Sequence, residues 1–186
     1  MRIIAGEYRS RKIETRSGNE TRPTLDKVRE AVFSSLGGMF DGGMVLDLYA
    51  GSGANGLEAL SRGFDYAVFA DISKDAIHII RKNIESLHCQ EKTKVLHMPD
   101  KKVLSLLKAE GLRFDLVYLD PPYARQHNDE ILEYLYENKM ITDRGVVVIE
   151  SAKEDEFTKE FGSLKPYKEA TYGITRITYY RNEVEG

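Results

Sequence analysis

VLDLYAGSGANGLEAL, residues 45–60, runs from an apolar segment carrying one carboxylate, Asp47, through the compact turn Ala50-Gly51-Ser52-Gly53 into a helical pattern. In α/β proteins a strand-to-helix crossing of this composition is where adenosine-containing ligands bind. Gly51 and Gly53 let the backbone approach a ligand at angles closed to other residues, and the unpaired N–H groups at the helix start can receive polar ligand atoms. Asp47 narrows the choice of ligand. A carboxylate just before the turn repels a pyrophosphate and attracts a cationic amine. It therefore favours the aminocarboxypropyl and sulfonium portion of S-adenosylmethionine over a nicotinamide dinucleotide.

Outward from this stretch the chain alternates between two periodicities. Apolar runs rich in Val, Tyr, Phe and Ile predict strands near 44–49, 66–71, 94–98, 114–119 and 145–150. Segments of 3.6-residue period predict helices near 54–62, 74–87, 100–109 and 128–138. This order reads as a parallel α/β sheet covered on both faces, with the strand C-terminal ends along one rim. Residues 153–162 fit a short helix, and YKEATYGITRITYYR, punctuated by Gly173, fits two tightly joined antiparallel strands. In the latter, Tyr179 and Tyr180 read as packing residues. Upstream, TRPTLDKVREAVFSSLGG places Leu25, Val28, Val32, Phe33 and Leu36 near helical spacing, with Thr24 as the expected cap and Arg22, Lys27 and Arg29 on the polar side. Residues 1–20 form the expected small hairpin or basic arm, and residues 21–186 the main domain.

The remaining rim residues supply the candidate chemistry. Asp71, ending VFAD, suits an acceptor for both ribose hydroxyls in preference to the lesser alternative of capping the following helix, for which Ser73 is an equally good cap. Ile72 would pack on the adenosine. Asp100, at the third strand's exit, could accept a hydrogen bond from the adenine amine or cap a helix, with Met98 and Pro99 nearby. In FDLVYLDPPYARQ, Asp120 and the Pro121 carbonyl can accept hydrogen bonds from an exocyclic amine on a nucleobase, and Tyr123 can stack on its ring. Pro121 and Pro122 lack N–H groups and end the strand with carbonyls turned outward. The implied reaction is attack by an aromatic amine nitrogen on the methyl carbon of a sulfonium, favoured by proximity and by acceptors that polarise the N–H bonds. Cys89, expected in the tail of a helix away from this rim, argues against pyrimidine methylation through a cysteine adduct.

Composition sets outer bounds. The formal net charge is −3, so the chain as a whole offers no general attraction for nucleic acid. Residues 1–29, with Arg2, Arg9, Arg11, Lys12, Arg16, Arg22, Lys27 and Arg29, carry a local balance of +4 against −7 for the remainder. A single cysteine excludes an intrachain disulfide, and His78, His88, His97 and His127 have no zinc-motif spacing. The start has no signal-peptide core, and no apolar run reaches the roughly 18 residues needed to span a bilayer. A cytoplasmic, metal-free protein is expected.

RIIAGEYRSRKI, RPTLDKVREAVFSSL, VLDLYAGSGANGLEALSRG, LDPPYARQ and YGITRITYYR together resemble, over essentially the full length, the bacterial 16S rRNA (guanine(966)-N(2))-methyltransferase family. The two N-terminal pieces are the specific ones, since the glycine turn and DPPY occur across other methyltransferases. The resemblance implies a Rossmann-like class I methyltransferase with a mostly parallel seven-stranded sheet, a C-terminal antiparallel hairpin and a small N-terminal extension. It implies S-adenosylmethionine as cofactor, held by Asp47, Tyr49, Ala50, Gly51, Ser52, Gly53, Asp71, Ile72 and Asp100. It implies the target guanine at Asp120, Pro121, Pro122 and Tyr123, and contact with 16S rRNA through Arg9, Arg11, Lys12, Arg22 and Arg29, with Thr24 shaping the pocket. A monomer acting on a small ribosomal subunit or its assembly intermediate is expected. Asn55 departs from the apolar residue typical of that turn. The residues themselves leave open an adenine-N6 enzyme, a nicotinamide oxidoreductase and a non-catalytic assembly factor on the same scaffold.

Overall fold

The computed structural model describes residues 1–16 and 22–184, with the side chains of residues 22–24 and 123 outside that description. The strands are β1 (Met44–Asp47), β2 (Tyr66–Asp71), β3 (Thr93–His97), β4 (Phe114–Leu119), β5 (Ile141–Ala152), β6 (Leu164–Tyr172) and β7 (Thr175–Asn182). The helices are α1 (Arg22–Ser35), α2 (Ala54–Ser61), α3 (Lys74–Ser86), α4 (Asp100–Ala109) and α5 (Asn128–Glu137). All seven strands belong to one sheet in the order β3-β2-β1-β4-β5-β7-β6, which is the Rossmann-like arrangement expected. The chain divides into two compact units, Met1–Asp100 and Lys101–Gly186.

In the first unit β1 and β3 pair with β2 in parallel. β2 is buried through its four central residues, so its run of Ala67, Val68, Phe69 and Ala70 shows no polar alternation. α2 and α3 supply Leu57, Leu60, Ile77, Ile80 and Ile84 to the core. Residues 1–13 close a small hairpin through Ile3 N–H to Arg11 O and Ile13 N–H to Met1 O, burying Ile3, Tyr8 and Ile13. This hairpin is seated on α2. Gly6 passes so close that a Cβ there would stand 1.8 Å from the Ser61 carbonyl oxygen, and its φ of +88° suits only glycine.

α1 corrects two expectations. It begins at Arg22, so Thr24 falls inside the first turn rather than capping it. Pro23 is tolerated there because first-turn N–H groups have no helical partner. Arg29 does not face solvent. It is 3% exposed, pairing with Glu58 Oε1 at 3.0 Å and Asp26 Oδ1 at 3.0 Å and donating to the Arg2 carbonyl. Glu58, fully buried on α2, also accepts from Arg62 Nε at 2.8 Å and from the backbone N–H groups of Ile4 and Ala5. Burying a carboxylate is tolerable only with such a full set of partners, and this arrangement takes Arg29 out of reach of an RNA backbone.

In the second unit β4 and β5 pair in parallel, whereas β7 runs antiparallel to both β5 and β6. Tyr179 and Tyr180 are fully buried, and Tyr180 OH donates to the Lys159 carbonyl at 2.7 Å. The helix expected over 153–162 does not form. The Lys153 N–H instead bonds to Ile174 O, and Phe161 forms an isolated antiparallel bridge with Leu164, so both ends of the segment join extended structure. Among the described residues no helix is long and apolar enough to cross a membrane, and no cluster of His, Cys, Asp or Glu could hold a metal ion.

Candidate active site

The turn leaving β1 is held by short-range hydrogen bonds. Ala50 N–H reaches Ala70 O at 2.8 Å, and Gly53 N–H closes back on Ala50 O at 2.7 Å. Gly51 and Gly53 lie at φ +58° and +85°. A Cβ on Gly53 would touch Phe69 and Ile80, whereas one on Gly51 would meet nothing within 4 Å. Gly51 thus faces open space, as a residue does where a ligand must come close to the backbone.

Asp47, 1% exposed, accepts a hydrogen bond from Gly56 N–H at 3.0 Å with Oδ2. It therefore satisfies an orphan donor in the first turn of α2, a structural role beside the cation recognition expected of it. Gly56 is small for a separate reason: a Cβ would stand 2.3 Å from Phe69 Cε1. Asn55, half-buried in the same turn, has no role that the structure explains.

Asp71 ends β2 with Oδ2 accepting from Gly51 N–H at 2.9 Å and Oδ1 from Ser73 N–H at 2.8 Å. The helix cap is Ser73, whose Oγ accepts from Ala76 N–H at 3.3 Å. Asp71 is thus tied to the glycine turn, and its neighbour Ile72 is 69% exposed, an unusual position for an isoleucine. Asp100 is the first residue of α4, and its Oδ2 accepts from Tyr49 OH at 2.7 Å. Burial, then that hydrogen bond and the carboxylate charge, push the Tyr49 phenol far above its ordinary pKa. Tyr49 is therefore a fixed neutral donor.

One residue of this unit escapes sequence reasoning. Asn83 is 2% exposed on α3; its Oδ1 accepts from Glu14 N–H at 2.7 Å, and its Nδ2 donates to Glu14 O and Ser52 O, each at 2.9 Å. The signal was an asparagine placed on the apolar stripe of Ile77, Ile80 and Ile84. Arg9, Arg11 and Lys12 are exposed on the N-terminal hairpin, and Arg11 Nη2 donates to Ser86 O at 2.8 Å.

The second unit presents a different strand exit. After β4, Asp120 is half-buried, Pro121 buried and Pro122 exposed at φ −54°, ψ 132°. A 3-10 turn over Tyr123–Arg125 follows, closed by Arg125 N–H to Pro122 O at 3.0 Å. The side chains of Tyr123 and of Arg22 lie outside the described residues. Cys89 is buried, with its thiol pushed up to about 11 chiefly by burial, so it is a poor source of thiolate.

Comparison with known proteins gives a consistent picture. The family model described as Conserved hypothetical protein 95 matches residues 1–181. The chain is 30% identical over 186 residues to Ribosomal RNA small subunit methyltransferase D of Escherichia coli (strain K12), spanning 100% of this chain and 92% of that protein. It is 32% identical over 184 residues to the protein of the same name from Haemophilus influenzae, spanning 98% of this chain and 94% of the other. A solved structure described as a conserved hypothetical protein from Streptococcus pyogenes matches with TM-score 0.79 and 38% identity, over 83% of this chain and 95% of that one.

Proposed function

The chain belongs to the Conserved hypothetical protein 95 family and is an S-adenosylmethionine-dependent methyltransferase, and we propose that its acceptor is the exocyclic N2 of one guanine in 16S rRNA. The observation that carries the rRNA assignment is the full-length similarity to two proteins named as small-subunit rRNA methyltransferases. Guanine N2 rests on the N-terminal motifs RIIAGEYRSRKI and RPTLDKVREAVFSSL.

The residues present fit the donor. Gly51 leaves open space beside a turn of left-handed glycines, and Asp71 is already oriented toward that turn by the Gly51 N–H. In this reading the turn Tyr49–Gly53 and Asp47 hold the methionine portion, Asp71 accepts hydrogen bonds from the ribose hydroxyls, Ile72 packs on the adenine and Asp100 lies at its edge. When bound, S-adenosylmethionine supplies a methyl carbon made electrophilic by the adjacent sulfonium, whose bond to that carbon breaks as the nitrogen attacks, the sulfur leaving as the neutral thioether of S-adenosylhomocysteine.

An exocyclic aromatic amine is a weak nucleophile because its lone pair is delocalised into the ring. Asp120 and the Pro121 carbonyl accept its two N–H bonds, which orients the lone pair and raises electron density on nitrogen. Tyr123 stacks on the base and Pro122 keeps the acceptor turn rigid. No base is needed before attack, since the nitrogen becomes acidic on methylation and its proton then passes to Asp120 or water. The exposed Arg9, Arg11 and Lys12, together with Arg22, hold RNA phosphates and set the register of the substrate. Arg29 has no part in this, being buried against Glu58.

Adenine N6 offers the same two N–H donors to Asp120 and Pro121, so the acceptor must be identified by its product. Protein incubated with methyl-labelled S-adenosylmethionine and rRNA from bacteria lacking this gene, as naked RNA and as small subunits, is expected to yield labelled N2-methylguanosine after digestion. Label in N6-methyladenosine would overturn the guanine assignment. No label in either substrate would favour the assembly-factor reading.

A further inference from the structure

We propose that Asn83 is a positioning residue that couples docking of the RNA-binding N-terminal hairpin to the shape of the donor turn, so that RNA and methyl donor bind cooperatively. This rests on the reading of the chain as an rRNA methyltransferase whose Arg9, Arg11 and Lys12 meet RNA.

An asparagine amide offers two N–H donors and a carbonyl acceptor, and Asn83 divides them between two segments far apart in sequence. It clasps Glu14 from both sides, accepting from its N–H and donating to its carbonyl. The remaining N–H holds the carbonyl of Ser52 at 2.9 Å. Ser52 O and Gly53 N belong to one peptide plane, and Gly53 N–H bonds to Ala50 O at 2.7 Å. That plane is therefore fixed at both ends, one of them by the same amide that holds the hairpin. Because Gly51 and Gly53 on either side are the most conformationally permissive residues of the turn, an external clamp is what selects one arrangement.

The proposed coupling needs a second state in which residues 11–16 lift from α3, and the remaining tethers along that helix are weak. Residues 11–16 follow α3 from its C-terminal end, where Arg11 meets Ser86 O, past Lys82 and Glu14 at 3.2 Å, to Arg16 and Asp75 at 3.9 Å. Both ion pairs are exposed, and such pairs contribute little. The buried Asn83 amide is thus the strongest of these tethers along α3, and lifting residues 11–16 would release it. Donor binding favours the docked state because it needs the Ser52–Gly53 plane held. RNA bound to Arg9, Arg11 and Lys12 favours the docked state because docking places those cations. Two ligands that each prefer one state must strengthen one another by the same factor.

The test is calorimetric titration with S-adenosylhomocysteine, alone and with saturating small-subunit rRNA, on wild-type protein, Asn83→Leu, Asn83→Asp and Asp71→Ala. Wild type is expected to bind S-adenosylhomocysteine about fivefold or more tightly with RNA present. Asn83→Leu removes the whole clasp, and Asn83→Asp removes both donors; both should weaken donor binding and bring that ratio to about one. Asp71→Ala should weaken donor binding while keeping the ratio, which separates loss of coupling from loss of affinity. If the Asn83 variants fail to fold, hydrogen exchange on wild type decides: amides of residues 11–16 should exchange more slowly on adding S-adenosylhomocysteine alone. A ratio of one in wild type that binds both ligands, a preserved ratio in Asn83→Leu, or unchanged exchange would overturn the coupling. Absence of RNA binding by wild type would overturn instead the functional reading beneath it.

Discussion

Two strand exits carry the proposed chemistry, and they are built from opposite materials. The exit of β1 uses Gly51 and Gly53 in left-handed conformations, and four hydrogen bonds around it present or restrain backbone N–H groups: Ala50 to Ala70, Gly53 to Ala50, Gly51 to Asp71 and Gly56 to Asp47. The exit of β4 uses Pro121 and Pro122, which have no N–H to present and whose ring fixes φ. A glycine exit can fold closely around an extended ligand but needs outside restraint to choose its shape. A proline exit needs no restraint and offers acceptors only. The first is suited to gripping a donor molecule along its length, the second to drawing electron density through the N–H bonds of an amine.

If that division of labour holds, Asp120→Ala separates the two exits most sharply. Loss of one positioned acceptor at a reacting centre costs on the order of 10²–10³ in kcat, while S-adenosylhomocysteine affinity, measured calorimetrically, should change by less than about threefold because no donor contact is touched. Equal losses in kcat and donor affinity would show that the exits do not divide the work.

Asp71→Ala is the converse and the next largest. It removes a charged acceptor from the Gly51 N–H and from the expected ribose contacts. Hydrogen bonds to charged groups contribute about 1.5–3 kcal/mol, so the dissociation constant for S-adenosylhomocysteine should rise about 10- to 150-fold. At saturating donor, kcat should stay within a few-fold of wild type.

How much of this was visible in the residues follows from the same contrast. β1, β2, β4 and β5 and the helices between them were legible because doubly covered strands leave continuous apolar runs and helices leave 3.6-residue stripes. The glycine and proline exits were legible because their backbone demands are local. Contacts set by distant partners were not. Arg29 reads as a polar-face residue of α1 until Glu58, 29 residues later, proves to be its buried partner. Phe157 and Phe161 have helical spacing, yet the backbone around them is taken by Ile174 and Leu164 of the C-terminal hairpin. Tyr49 and Asp100 were each expected at the cofactor, but their hydrogen bond across 51 residues was invisible. β5 starts at Ile141 rather than near 145 because Phe114 pairs with Ile141 across a register shift that alternation alone does not reveal.

Gly56→Ala probes whether the glycine exit depends on packing beneath it. The new Cβ would meet Phe69 Cε1 at 2.3 Å and Cζ at 2.8 Å, so the ring or the first turn of α2 must move. Overpacking of this kind costs about 1–3 kcal/mol, and each kcal/mol lowers Tm by about 2–4 °C in a chain of this size. Donor affinity should fall with it, because movement of Gly56 N–H slackens its bond to Asp47. An unchanged Tm would mean that α2 yields freely and that the turn is not braced from below.

Pro122→Ala should have the smallest effect and tests the proline exit on its own terms. Pro122 is exposed and sits at φ −54°, an angle alanine reaches without strain, and its carbonyl remains available to Arg125 N–H. What changes is the freedom of the unfolded chain, worth about 0.4–1 kcal/mol, so Tm should drop by no more than about 4 °C. Donor affinity should not move, and kcat should fall by less than tenfold, since Asp120 and the Pro121 carbonyl are retained and only the stiffness of their support is reduced. A kcat loss as deep as that of Asp120→Ala would show that rigidity, rather than the acceptors it carries, is what the second exit contributes.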